Sequence, residues 1–331
     1  MSPKSVLVTG ANGHLGFRVL VSALKAGHMV RATVRRSEAA EKVLDAKSIE
    51  PYRSQLEVVI IEDILKEGAF DGAIQGIEAV LHIASPVSRP SDNYLDDFIN
   101  PAVQGTLGLL NSAVKSSSVK KIVITSSIAV LDIEKSGTIS AHELGPILPL
   151  DKLSSPFTGY IASKRIALQK TIQFIEEKKP RFSVIHVLPS VIIGRNELVT
   201  RASDFSSGTN RYVINIAKGL DAPAPLLGAS VYVNDCADIH LLALDDKING
   251  NQNFIASAGA VVWNNVSEII RHDFGEKVKE HGLKLEGNLD TKALDLDPSD
   301  TDRAFGVKWT AFNAQVKSVV EHYLEIVTGR D

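Results

Sequence analysis

A short apolar run at residues 6–9 (Val-Leu-Val-Thr) stops at Gly10, and the hydrophobic spacing then changes from continuous to helical, with Leu15, Val19, Leu20 and Leu24 on one face. Gly27 closes this segment in the manner of a helix C-terminus. Further apolar runs at 29–34, 56–61, 79–84, 121–125 and 182–188 are separated by helical patterns. Strands that are apolar nearly throughout must be covered on both faces, and helices between them supply that cover. The expected fold is therefore α/β, a doubly wound parallel sheet. After Gly194 the pattern loosens. Residues 195–211 are polar and read as a long loop of the functional or mobile kind. Two helical patterns, at about 263–275 and 311–327, mark a smaller C-terminal subdomain.

Acidic residues number 39 and basic residues 36, for a net charge of −3, so no polybasic footprint points to nucleic acid or an anionic membrane. A hydrophobic share of 44% with 23% charged residues is enough for a folded core. The single cysteine, Cys236, excludes an internal disulfide and reads as a packed thiol. Nine histidines show no metal-ligand spacing, so no metal is expected. The N-terminal residues lack a secretory pattern, and no apolar run approaches the ~20 residues of a membrane span. The expectation is a cytoplasmic protein, a monomer or homodimer, whose partner is a small molecule.

The first β-to-α turn reads Gly10-Ala11-Asn12-Gly13-His14-Leu15-Gly16, a G-x-x-G-x-x-G spacing. Glycine permits a tight turn there and lets the backbone approach a diphosphate, which the N–H groups at the helix N-terminus then hold. Three glycines also serve plain turn chemistry, and only the position after the first strand favours the phosphate. The second strand ends in Val34-Arg35-Arg36, where selectivity for NAD usually calls for an acid. A guanidinium fork suits the 2′-phosphate of NADP(H) instead. A solvated strand end is the bland alternative for Arg35 and Arg36.

Tyr160 and Lys164 are four residues apart and so share a helix face. A tyrosine titrates near ~10 when unperturbed, and a neighbouring ammonium, together with the positive nicotinamide ring of an oxidised cofactor, lowers that value, so a tyrosine of this kind can exchange a proton with a substrate oxygen. Y-x-x-x-K by itself is common. Thr125-Ser126-Ser127 ends the fifth strand at the carboxyl edge, where ligands of such sheets bind and where a hydroxyl can orient a carbonyl oxygen.

Taken together, the 8–13 segment, Ser127, and Tyr160 with Lys164 resemble the extended short-chain dehydrogenase/reductases. The chain is similar in particular to the branch of dihydroflavonol reductases, cinnamoyl-CoA reductases and fungal NADPH-dependent aldehyde (methylglyoxal) reductases. His82-Ile83-Ala84-Ser85-Pro86, Glu62-Asp63-Ile64-Leu65, 188–194 and Tyr232-Val233-Asn234-Asp235 match that branch in order. The resemblance covers roughly residues 5–245 and implies a Rossmann fold. It also implies Asp63 and Ile64 beside the adenine, Ala84 and Ser85 beside the cofactor ribose, and Pro189, Ser190 and Val191 near the carboxamide. Lys164 would also bind the nicotinamide ribose. The family pattern selects Ser127 over Ser126 as catalytic. His14 stands where Phe is usual, Arg195 where Pro is common, and Ala39 where a lysine often helps bind the 2′-phosphate, a role Arg36 could take.

These readings make residues 1–190 an NADP-binding domain with a returning segment at about 228–245, and 191–331 mainly a substrate-binding subdomain. The expected activity is NADPH-dependent reduction of an aldehyde or ketone by Ser127, Tyr160 and Lys164. Val87, Phe98, Ile128, Phe157 and Phe205 are the candidates for an apolar pocket, each equally able to be core. A sugar-nucleotide epimerase or dehydratase and a non-catalytic NADP-sensing regulator are the alternatives.

Overall fold

The computed structural model describes residues 2–85 and 91–329. In chain order the first half runs β1 (Ser5–Thr9), α1 (His14–Lys25), β2 (Met29–Val34), α2 (Ser37–Leu44), β3 (Leu56–Ile60), β4 (Ala79–His82), α3 (Asn100–Lys115), β5 (Lys121–Thr125), α4 (Pro156–Lys178) and β6 (Ser183–Pro189). The second half runs β7 (Val191–Ile193), α5 (Asn210–Lys218), β8 (Leu226–Leu227), β9 (Ser230–Tyr232), α6 (Val233–Leu242), β10 (Gln252–Ala256), α7 (Asn265–Phe274), β11 (Thr291–Lys292), α8 (Ser299–Phe305) and α9 (Phe312–Thr328).

Seven strands form one parallel sheet in the order β10-β6-β5-β4-β1-β2-β3. Alternate strand residues feed two separate cores. Val6, Val8, Leu81, Val123 and Val187 join residues of α1 and α6, whereas Leu7, Val80, Ile122, Ile124 and Val184 join α3 and α4. This is the doubly wound arrangement that the apolar strands require. Strand order reverses between β1 and β4, and such a switch point opens a crevice at the carboxyl edge.

A separate apolar cluster holds the C-terminal lobe together. Trp263, Val266 and Ile270 pack with Val213, Ile216, Val316 and Val320 from α5 and α9. The main sheet also takes β10 from this half, beyond the returning segment. Residues 195–211 are not an open loop. Leu198 and Phe205 are buried, a 3₁₀ turn spans Ala202–Ser206, and α5 begins at Asn210. Two apolar anchors within a polar stretch suffice to fix it. Arg195 adds an ion pair to Glu325 of α9 at 2.6 Å.

Candidate active site

The glycine loop is shaped by contacts that no side chain could share. Gly10 has φ +69°, and a Cβ on it would meet the backbone of Ala84 at 3.0 Å. A Cβ on Gly16 would lie 2.0 Å from the carbonyl oxygen of Gly10. Gly13 N–H donates to Gly10 O at 3.0 Å, tightening the turn. No side chain caps α1, so its first N–H groups stay available to an anion, and the helix dipole favours negative charge there. Asn12 and Gly13 are exposed, while Leu15 is core. His14 Nε2 meets Gly194 O at 3.1 Å, and burial pulls its pKa down to about 4, so the neutral ring donates this bond. Gly194 is gripped a second time by Asn210, whose Oδ1 accepts from its N–H at 3.0 Å and whose Nδ2 donates to its carbonyl at 2.6 Å.

Arg35 is exposed at the end of β2, and its Nε donates to Glu62 O at 3.1 Å. Arg36 is exposed beside it, ahead of α2. Asp63 is exposed and accepts from Leu65 N–H at 2.9 Å. Ile64 turns inward, with its Cδ1 against Gly105 of α3. Ser190 is buried, its N–H and hydroxyl both donating to Ala256 O, and Val191 N–H donates to Ala229 O, so Pro189, Ser190 and Val191 tie β6 to the second lobe.

Ser127, Tyr160 and Lys164 converge at the carboxyl edge. Ser155 caps α4 through a capping box with Thr158, and Pro156 occupies its first position, which fixes where the helix starts and hence where Tyr160 projects. Lys164 Nζ lies 5.6 Å from the centroid of the Tyr160 ring and donates to Ser85 Oγ at 2.9 Å. Ser126 turns inward and is buried, whereas Ser127 is half-exposed and accepts from Ala129 N–H. The Ser127 hydroxyl lies close enough to the Tyr160 phenol to act on its titration. Burial pushes the phenol above its usual value, and the Ser127 contact opposes that. The protein's own groups thus leave Tyr160 above its usual value, because desolvation outweighs the Ser127 contact. Lys164 is pulled down to about 8 by burial.

The apolar pocket candidates fare differently. Phe98 and Ile128 are core, and Phe205 packs against the rings of His322 and Tyr323 inside the C-terminal lobe. All three side chains are thus buried in interior packing in this structure. Phe157 is 42% exposed, one turn before Tyr160, and Val87 lies outside the described residues. Cys236 is buried, and desolvation pushes its thiol up. Among the described residues, no group of His, Cys, Asp or Glu is placed to hold a metal, and no helix is long and apolar enough to cross a membrane.

Sequence reasoning passed over Arg165. Its buried guanidinium donates to Ala129 O at 3.1 Å, Leu131 O at 2.5 Å and Pro146 O at 2.6 Å, binding α4 to the loop that follows Ser127. The only available signal was a cation on an otherwise buried helix face.

A family model described as the NAD dependent epimerase/dehydratase family matches residues 6–259. A protein named ketoreductase CTB6 from Cercospora nicotianae is 32% identical over 98% of this chain and 96% of its own. Aldehyde reductase 2 of Sporidiobolus salmonicolor is 30% identical over 95% of this chain and 94% of its own. The solved structure of yeast methylglyoxal/isovaleraldehyde reductase Gre2 complexed with NADPH superposes with a TM-score of 0.84 at 25% identity, covering 99% of this chain and all of that one. With strands, glycine loop and carboxyl-edge cluster placed as they are, the chain belongs to the NAD dependent epimerase/dehydratase family, the extended short-chain dehydrogenase/reductases.

Proposed function

We propose that this protein is an NADPH-dependent carbonyl reductase acting on an aldehyde or ketone. The observation that carries the reading is the Lys164 ammonium set against the Tyr160 ring and bonded to Ser85, next to the Ala84 backbone on which the glycine loop packs. The names of the relatives, ketoreductase and aldehyde reductase, and the solved relative carrying NADPH support it. The loop suits a dinucleotide because Gly10 and Gly16 let it close tightly against Ala84 and on itself, while no side chain caps the N-terminus of α1. Gly10, Asn12, Gly13, His14, Leu15 and Gly16 would hold the diphosphate, mainly through backbone. Arg35, with Arg36, would hold the 2′-phosphate, Asp63 and Ile64 would flank the adenine, and Ala84, Ser85, Pro189, Ser190 and Val191 would flank the nicotinamide riboside. Residues 1–190 with 228–245 form the cofactor-binding domain in this reading, and 191–331 shape the substrate site. NADPH supplies the hydride. Ser127 hydrogen-bonds the substrate oxygen, Tyr160 gives that oxygen its proton, and Lys164 fixes the ribose and holds Tyr160 in place.

A sugar-nucleotide epimerase would keep tightly bound NAD, and a non-catalytic sensor has no use for the Tyr160–Lys164 pair. Consumption of NADPH and of NADH over a panel of aldehydes, diketones, β-ketoesters and aryl ketones tests the reading. NADPH-dependent turnover of at least one carbonyl class is expected. Copurified NAD with no carbonyl-dependent turnover would transfer the case to the epimerase.

A further inference from the structure

On the α3/α4 side of the sheet, beneath Lys164, lies a chamber of about 20 Å3 lined in part by His82, Ser85, Thr106, Ser126, Lys164 and His186. A water needs roughly 10–15 Å3, so there is room for one. Register places His82, Ile124 and His186 at one level on β4, β5 and β6. The two imidazoles therefore rise from the same face on either side of Ile124, their backbones roughly 10 Å apart at the usual strand spacing. Both residues are buried, at 2% and 4% exposure, and Nε2 of each finds no partner among the described residues. Buried polar atoms are rarely left so.

Their chemistry is complementary. Thr9 Oγ1 accepts from Ile83 N–H and Ala84 N–H, both at 3.1 Å, which uses its two lone pairs. Its own O–H is left to donate to His82 Nδ1 at 2.9 Å, so the ring proton of His82 sits on Nε2. Asn253 is the register partner of His186 on β10 and its side chain favours the charged ring, which assigns its oxygen to the Nδ1–H side and leaves Nε2 as the acceptor. The Asn253 amide N–H accordingly turns to Ala141 O, at 3.4 Å.

We propose that the chamber is a water site, in which one ordered water accepts from His82 Nε2–H and from the Lys164 ammonium and donates to His186 Nε2. His82 and His186 are then positioning residues that act through Lys164. The inference rests on the reading of Lys164 as the cation that orients ribose and tyrosine. Water beneath the ammonium offsets its burial and keeps it charged and aimed at Ser85. Among the described residues, the titratable groups facing Lys164 are His82 from β4, His186 from β6 and Tyr160 on its own helix, and no carboxylate lines the chamber. Burial holds His82 at about 3 and His186 at about 4, so neither changes charge where Lys164, at about 8, does.

The test pairs a high-resolution crystal structure of the NADPH-bound protein with pH profiles of kcat/KM for His82→Leu, His186→Leu and His82→Gln. Ordered density within about 3.2 Å of both Nε2 atoms is expected. The alkaline fall in kcat/KM should begin about one pH unit lower in the two leucine variants, a common scale for environmental effects on a titration. His82→Gln, which keeps a donor, should retain the wild-type profile. A dry chamber, or a folded His82→Leu protein that loses rate with its alkaline limb unmoved, overturns the proposal. Should His82→Leu fail to fold, the density and His186→Leu decide. If the wild type reduces no carbonyl, the reductase reading fails, and the density alone still decides the water site.

Discussion

Arg35 reaches solvent at the end of β2 with its Nε anchored on Glu62 O, which leaves the rest of the guanidinium fork for a ligand. A charge-assisted hydrogen bond contributes about 1.5–3 kcal/mol, or roughly 10- to 150-fold in affinity. Arg35→Ala should therefore raise KM for NADPH at least about tenfold and leave KM for NADH nearly unchanged. Added salt should weaken NADPH binding more than NADH binding, because only the former has a 2′-phosphate to screen. Equal losses for both cofactors would reduce Arg35 to a solvated strand end. Lys164 carries the pH dependence. Burial has lowered its pKa to about 8, so the ammonium is present below that value and lost above it. The reductive rate should fall as pH rises through about 8, and a flat kcat/KM profile across that region would contradict the role given to Lys164. At this scale the sequence exposed Tyr160, Lys164 and the glycines, because their spacings occur together and in order with the other motifs of the family. It could not report that burial pushes Tyr160 up, since desolvation depends on residues distant in the chain.

Helix α4 does two jobs at once. It carries Tyr160 and Lys164 on one face, and through Arg165 it grips three carbonyls of the segment after β5 that bears Ser127. A Cβ on Gly145 would lie 2.1 Å from Arg165 Nη2, so the glycine makes room for the guanidinium. Arg165→Met strands buried acceptors at about 1–3 kcal/mol each. The expected result is a lower midpoint in urea and a loss of kcat, with Arg165→Lys recovering only part of either. Wild-type stability in Arg165→Met would show that these carbonyls find other donors. The strands and first helices were legible because their hydrophobic periods are regular. The 195–211 segment was not, because its apolar anchors are Leu198 and Phe205, and two apolar residues make no period. Phe205 could not be separated from a pocket residue by type alone, since an aromatic side chain serves either place equally well.

Over the whole molecule, buried neutral imidazoles govern acid stability. Burial lowers His82 to about 3 and His186 and His240 to about 4, against 6.5 for a free imidazole. Between these values the unfolded chain binds protons that the fold refuses, so stability is complete above about 6.5 and declines as pH falls toward 4. Each group contributes up to about 1.4 kcal/mol per pH unit. Tm should drop clearly between about pH 7 and about pH 5, and an unchanged Tm would mean these rings take up protons without unfolding. The doubly wound sheet was readable from the alternation of elements. The assignment of β10 to the main sheet was not, because strand order across a sheet is set by long-range packing that a local pattern does not record. The central claim is that Tyr160 supplies the proton in a carbonyl reduction that uses NADPH. Its most direct test is kcat for carbonyl-dependent NADPH oxidation in wild type and Tyr160→Phe, with NADPH affinity measured in both. Turnover should fall by about 10²–10⁴ while affinity stays nearly constant. Wild-type kcat in Tyr160→Phe would contradict the account.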